Sequence, residues 1–218
     1  MANRACDTRY VQTISDLQRR AVRLEYLTIA WSAIETIAAL VSGILAGSVA
    51  LTAFGADSGI EIVSAVIVLQ RLRSHAELGE VDQVKERRAL KSLAVLFFSL
   101  AAFVVIVASL ALARRDHPSE SVLGVVTCLI AVAVMPALAM SKRTTGKQLT
   151  LLDSCACGQL LMTDAAESAL CGWLSVSTVV GVVLGAWVGW WWADPVASLV
   201  VVYFAIREGR EAWHGDLH

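Results

Sequence analysis

The chain has 218 residues, of which 57% are hydrophobic and 17% charged, against roughly 45–50% and 25% for a soluble domain; its mean hydropathy of +0.65 points the same way. This composition excludes an ordinary soluble domain. The net charge of −1 argues against nucleic acid as a partner, because such binding needs a basic surplus.

In chain order, residues 1–25 form a polar arm carrying Arg4, Arg9, Arg19, Arg20 and Arg23. It lacks the short apolar core and small-residue cleavage site of a signal peptide. Residues 26–213 hold six apolar runs, Tyr26–Ala46, Ser48–Leu69, Ser92–Ala113, Val122–Met140, Leu160–Leu184 and Trp190–Ile206. Each is long enough, or nearly so, for the roughly 20 residues of a spanning helix, and residues 214–218 are a short tail. The runs are continuous rather than alternating in twos, which rejects a β-barrel. The expected fold is an all-α membrane protein, a six-transmembrane-helix bundle. Gly47–Ser48 makes the first turn tight, so the first two helices are expected to be antiparallel neighbours.

Placing the amino terminus inside puts sixteen Lys and Arg on the cytoplasmic side: five in the arm, six in Arg71–Lys91, three in Lys142–Lys147 and two in the tail. Only Arg114 and Arg115 lie opposite, so the positive-inside rule puts both termini in the cytoplasm, with the plasma (inner) membrane as the expected location. Trp187, Trp190, Trp191 and Trp192 then fall at the outer boundary, where indole rings favour the headgroup layer.

The informative residues are the acids within these runs: Glu35, Asp57, Glu61, Asp164 and Glu167. Each costs about 2.5–3.5 kcal/mol near the bilayer centre on insertion scales, so five of them need a shared reason. Asp57 and Glu61 are four apart and share a helical face about 6 Å along the axis. Glu167 and Cys171 repeat that spacing. Two such helices can converge four O and S atoms on one point, the ligand count of a tetrahedral divalent metal site. Glu35 lies at the same depth, as a further ligand, a proton acceptor or a neutral structural acid. A thiol at 171 is either apolar packing or a ligand; as a thiolate ligand it favours Zn²⁺ or Cd²⁺ over ions that prefer all-oxygen shells.

Cys157, Asp164 and Cys171 recur every seven residues and form a stripe from the cytoplasmic mouth inward. Asp164 and Cys157 are thus candidates for an additional metal or proton site, and Asp153 for an entrance group. The five cysteines, at 6, 128, 155, 157 and 171, lack the spacing of a disulfide framework and read as free thiols. His75, His117, His214 and His218 all fall in loops or tails. No phosphate loop, nucleophile elbow or His-Glu-x-x-His helix is present, so enzymatic activity lacks residues to carry it. Lys and Arg are absent from the centres of the runs, leaving an acid-rich interior suited to cations.

The stretch Gly47–Glu61, with its small-residue turn and acid-x-x-x-acid pair, resembles the second helix of the cation diffusion facilitators. Thr163-Asp164-Ala-Ala-Glu167-Ser-Ala-Leu-Cys171 resembles their fifth, and Trp191–Leu199, containing Asp194-Pro195, the start of their sixth. The resemblance covers most of Tyr26–Trp213. It implies a six-helix homodimer exporting Zn²⁺ or a related divalent cation, commonly in exchange for protons, with no cofactor. Glu167 and Cys171 stand where that family usually has His and Asp. The family's cytoplasmic carboxy-terminal domain has no counterpart, so the resemblance implies a membrane-only relative whose dimer rests on membrane helices. The expected mechanism is alternating access about a midplane site of Asp57, Glu61, Glu167 and Cys171, with metal and protons competing for the same atoms. The rival reading is a membrane metal sensor or a scaffold that uses the acids as inter-helix polar bonds.

Overall fold

The computed structural model describes residues 2–46, 49–78, 83–114, 121–152, 157–188 and 192–214. They form six α-helices: α1 (Ala2–Ala46), α2 (Val49–Leu78), α3 (Gln83–Arg114), α4 (Val122–Leu152), α5 (Cys157–Val188) and α6 (Ala193–His214), with no strand among the described residues. The all-α expectation therefore holds. Among the described residues, three helices carry segments long and apolar enough to cross a membrane, Gln12–Leu45, Val84–Arg114 and Val122–Leu152. Several helices outrun the apolar runs. The polar arm is helical and continuous with the first run, and α4 continues past Met140 to Leu152, placing Lys142, Arg143 and Lys147 on a helix rather than in a loop.

Four helices enclose the centre. α1 packs on α2 and α4, and α5 packs on α4 and α2, while α3 and α6 pair with each other and lie against α2 and α5. The buried face of α1 explains the arrangement: Ala21, Glu25, Thr28, Ser32, Glu35, Ala39 and Ser42 are all buried, in alternating steps of four and three. That is a heptad seam, the pattern that keeps one stripe against neighbouring helices, but here small and polar residues occupy it. The outer face is the reverse, with Ile37 67% exposed, Ile44 70% and Leu45 83%, whereas Glu35 and Glu61 are 0% exposed. A protein whose acids are dry and whose isoleucines are bare suits an apolar surrounding.

Along the four-helix axis, polar residues sit between two apolar layers. One layer combines Ala21, Val68, Leu72, Leu93, Leu149, Leu160 and Leu161. The other combines Ala39, Leu51, Phe54, Cys128, Ala131 and Met135, and reaches Cys171. Between them on α1 lie Glu25 to Glu35, on α2 Asp57 to Ser64, on α4 Lys142 and Thr145, and on α5 Asp164 to Ser168, all buried at those polar positions. The result is an enclosed polar compartment.

Close helix approach is set by glycine. A Cβ on Gly158 would lie 2.6 Å from the Gly146 carbonyl oxygen, and one on Gly146 2.8 Å from that of Gly158, so α4 and α5 touch backbone to backbone there. Gly55 of α2 meets Leu40 of α1 in the same way, at 2.9 Å. Gly158→Ala is expected to cost about 1–3 kcal/mol through overpacking, read as a lowered thermal midpoint of the detergent-solubilised protein, whereas Ala166→Gly on the half-buried face is expected to cost about 1 kcal/mol or less.

Candidate functional site

The compartment is built from side chains presented by four helices, and Glu61, Glu35 and Asp164 each meet a serine from a different helix. Ser32 of α1 donates to Glu61 Oε2 of α2 at 2.8 Å. Ser58 Oγ of α2 lies 3.4 Å from Glu35 Oε2 of α1, and 3.1 Å from the Phe54 carbonyl oxygen of its own helix. Ser64 of α2 donates to Asp164 of α5. Asp57 and the Cys171 thiol are near neighbours across α2 and α5.

These bonds leave half of the acid oxygens unengaged. Glu35 Oε1, Asp57 Oδ2, Glu61 Oε1 and both oxygens of Glu167 are buried without a hydrogen-bond partner. An unsatisfied buried carboxylate oxygen is costly, and such atoms mark places where an ion or water is expected to bind.

The closest convergence brings Glu35, Glu61 and Cys171 together, with one ligand atom from each lying within 4.8 Å of the others. All three are buried. Of the four residues expected to converge from spacing, Glu61 and Cys171 belong to this group. Asp57 flanks it as a neighbour of the thiol, and Glu167 stands outside the three-residue group, facing Asp164, Glu61 and Asp57. Glu35, the expected additional residue, takes a central place. Two carboxylates and a thiol make a mixed O,O,S donor set, which suits Zn²⁺ or Cd²⁺ better than Mg²⁺ or Ca²⁺.

Two expectations are corrected here. Cys157 is buried at the first turn of α5 and is disulfide-bonded, so it is not the free thiol expected from the cysteine spacing and has no thiolate to offer a metal; Cys128 and Cys171 are reduced. The interior also does contain a lysine. Lys142 is 0% exposed and forms an ion pair with Asp164, lies 3.5 Å from Glu25 Oε2 and donates to Ser168 Oγ at 3.2 Å. Asp164 is thus held by an internal cation and a serine rather than standing open as an entrance ligand. Hydropathy ends the fourth run at Met140, which hid Lys142; the sign that it points inward is its place seven residues after Met135 on the same seam. Glu25, Thr28 and Ser32 were equally findable by continuing the heptad back from Glu35.

His117, Asp153, Cys155, Trp190, Trp191 and His218 lie outside the described residues, as do the side chains of Cys6, His75 and Trp187. Trp192 is 42% exposed. Away from the compartment, a groove of about 480 Å³ runs between α4, α5 and α6 past Pro136, Trp173 and Glu208. There Arg207 donates to Glu211 at 2.9 Å. Partial burial and the neighbouring Glu211 raise the Glu208 carboxyl above its ordinary range, with Arg207 and Arg143 opposing.

No family model matches the chain, and no curated protein matches it.

The Glu35–Glu61–Cys171 geometry predicts that Cd²⁺ titration of the purified protein produces an ultraviolet thiolate-to-cadmium charge-transfer band. Cys171→Ser should abolish it, and Glu35→Gln should weaken Cd²⁺ affinity by about tenfold, which corresponds to about 1.4 kcal/mol.

Proposed function

We propose that this protein is a divalent metal cation transporter of the multi-pass membrane kind, exporting Zn²⁺, Cd²⁺ or a similar borderline-to-soft ion from the cytoplasm by alternating access, in exchange for protons. The observation that carries this reading is the buried meeting of Glu35, Glu61 and Cys171 within 4.8 Å, with a carboxylate oxygen on each acid left without a hydrogen bond. Asp57 and Glu167 supply further carboxylates beside it. In this reading all six helices span the bilayer, both termini are cytoplasmic, the location is the plasma membrane and the working unit is a homodimer. The likeness of α2 and α5 to the cation diffusion facilitators supports the same conclusion.

The mechanism follows from chemistry at the shared atoms. A metal needs deprotonated carboxylates and a thiolate, so each bound ion displaces protons, and protons arriving from the other side help release it. The two apolar layers supply what alternating access requires, a barrier at each end. Opening the Leu72–Leu93–Leu161 layer admits the cytoplasm to the acids. Opening the Phe54–Ala131–Met135 layer exposes them on the far side.

A second reading has its own support, because Ser32–Glu61, Ser58–Glu35 and Ser64–Asp164 are all bonds between different helices. Such bonds serve a scaffold or a non-transporting sensor as well as a transporter. Reconstituted vesicles separate the readings. Transport requires Zn²⁺-driven proton movement, which Glu61→Gln should reduce by at least about tenfold, a loss of about 1.4 kcal/mol or more, while the helical signal stays unchanged. Zn²⁺ stabilisation without uptake would identify a sensor, and no metal response a scaffold.

Acidification supplies a further check with a defined sign. Because protons and metal compete for the same donor atoms, apparent Zn²⁺ affinity should fall as pH falls. Equilibrium binding to the detergent-solubilised protein at stepped pH measures this directly. Cys171→Asp should shift preference from Cd²⁺ toward Mn²⁺, read as a changed ratio of uptake rates.

A further inference from the structure

Lys142 is the single lysine among the buried polar residues described, and its surroundings are those of a bound cation. Its ammonium is ion-paired to Asp164 of α5, lies 3.5 Å from Glu25 of α1 and donates to Ser168 at 3.2 Å. Glu61 of α2 faces it electrostatically. Neither oxygen of Glu25 has a hydrogen bond, although the residue is 0% exposed, and the ammonium is the positive charge it faces. Asp164 takes a further bond from Ser64. Three helices thus turn carboxylates, and Ser168 a hydroxyl oxygen, toward one positive charge.

We propose that Glu25 and Asp164, with Ser168 beside them, form a second cation site whose resident occupant is the chain's own Lys142 ammonium. The donors are all oxygen, so without the lysine the site suits a hard divalent cation such as Mn²⁺, in contrast to the thiol-containing cluster deeper in the bundle. Glu25 and Glu35 are ten residues apart on one helix, or about 15 Å, so the two sites occupy different levels of the same compartment. The tether makes the lysine a permanent occupant: it neutralises the outer layer while leaving the inner cluster for a free ion. This assignment rests on the ion-pair geometry and does not require transport.

Lys142→Gln removes the charge and keeps a polar side chain. Removing one partner from a buried ion pair leaves uncompensated charge, and the proposal is that a free cation then takes its place. Mn²⁺ binding to the full-length protein in detergent, followed by loss of the free-Mn²⁺ electron paramagnetic resonance signal, tests this. Lys142→Gln should bind one more Mn²⁺ per chain than the native protein. Lys142→Arg should titrate like the native protein. The additional ion should disappear in Lys142→Gln/Asp164→Asn and in Lys142→Gln/Glu25→Gln. A Lys142→Gln protein with native Mn²⁺ stoichiometry would overturn the proposal. If Lys142→Gln folds poorly on its own, Mn²⁺ added during purification should restore a monodisperse helical protein, and failure to do so would overturn it equally. Because binding is read at equilibrium, these outcomes are independent of whether vesicles show uptake.

Discussion

The structure depends on keeping carboxylates dry. Glu25, Glu35, Asp57, Glu61, Asp164 and Glu167 are all buried in one four-helix centre, and each would be expensive there without compensation. The compensation comes across helices rather than along them: serines from α1 and α2 reach acids on α2, α1 and α5, and a lysine from α4 reaches α1 and α5. These groups meet only if the backbones come close, which the Gly146–Gly158 and Gly55–Leu40 approaches permit. Polar bonding, close packing and an apolar outer face are therefore one solution to one problem, since the acids hold the interior together while the isoleucines and leucines face outward.

Much of this was legible in the sequence. The acids of α2 and α5 announced themselves against hydropathy, and Glu35 followed from its depth relative to the turn. Which of them would converge was not legible, for a geometric reason. Residues four apart on a helix differ by about 40° around its axis, so Asp57 and Glu61 cannot both aim at one point unless the helix is rotated to split the difference, and spacing says nothing of that rotation. The structure favours Glu61 and Cys171 and turns Asp57 and Glu167 to the sides. Lys142 was missed because hydropathy treats lysine as a marker of water. A helix that runs on to Leu152 brings it instead to a seam already lined with acids.

The disulfide at Cys157 was illegible for a different reason, since one-dimensional spacing carries no account of which thiols meet. Cys157 stands at the start of α5, within the apolar layer that holds Leu160 and Leu161. The opposite layer has no such bond among the cysteines it contains, because Cys128 and Cys171 are reduced. The two ends of the compartment thus differ in their cysteine chemistry.

Pro136 marks a second difference between the two ends. It lies inside α4, one residue beyond Met135 of the unbridged layer, and it cannot donate the hydrogen bond that would tie its turn to Val132. Gly172 of α5 faces its ring, so no bulky side chain braces the joint from that side. The half of α4 carrying Cys128 and Ala131 is therefore separated from the rest of the helix by a break in the hydrogen-bond ladder. The half carrying Lys142 is tied to α1 and α5 by its ion pairs.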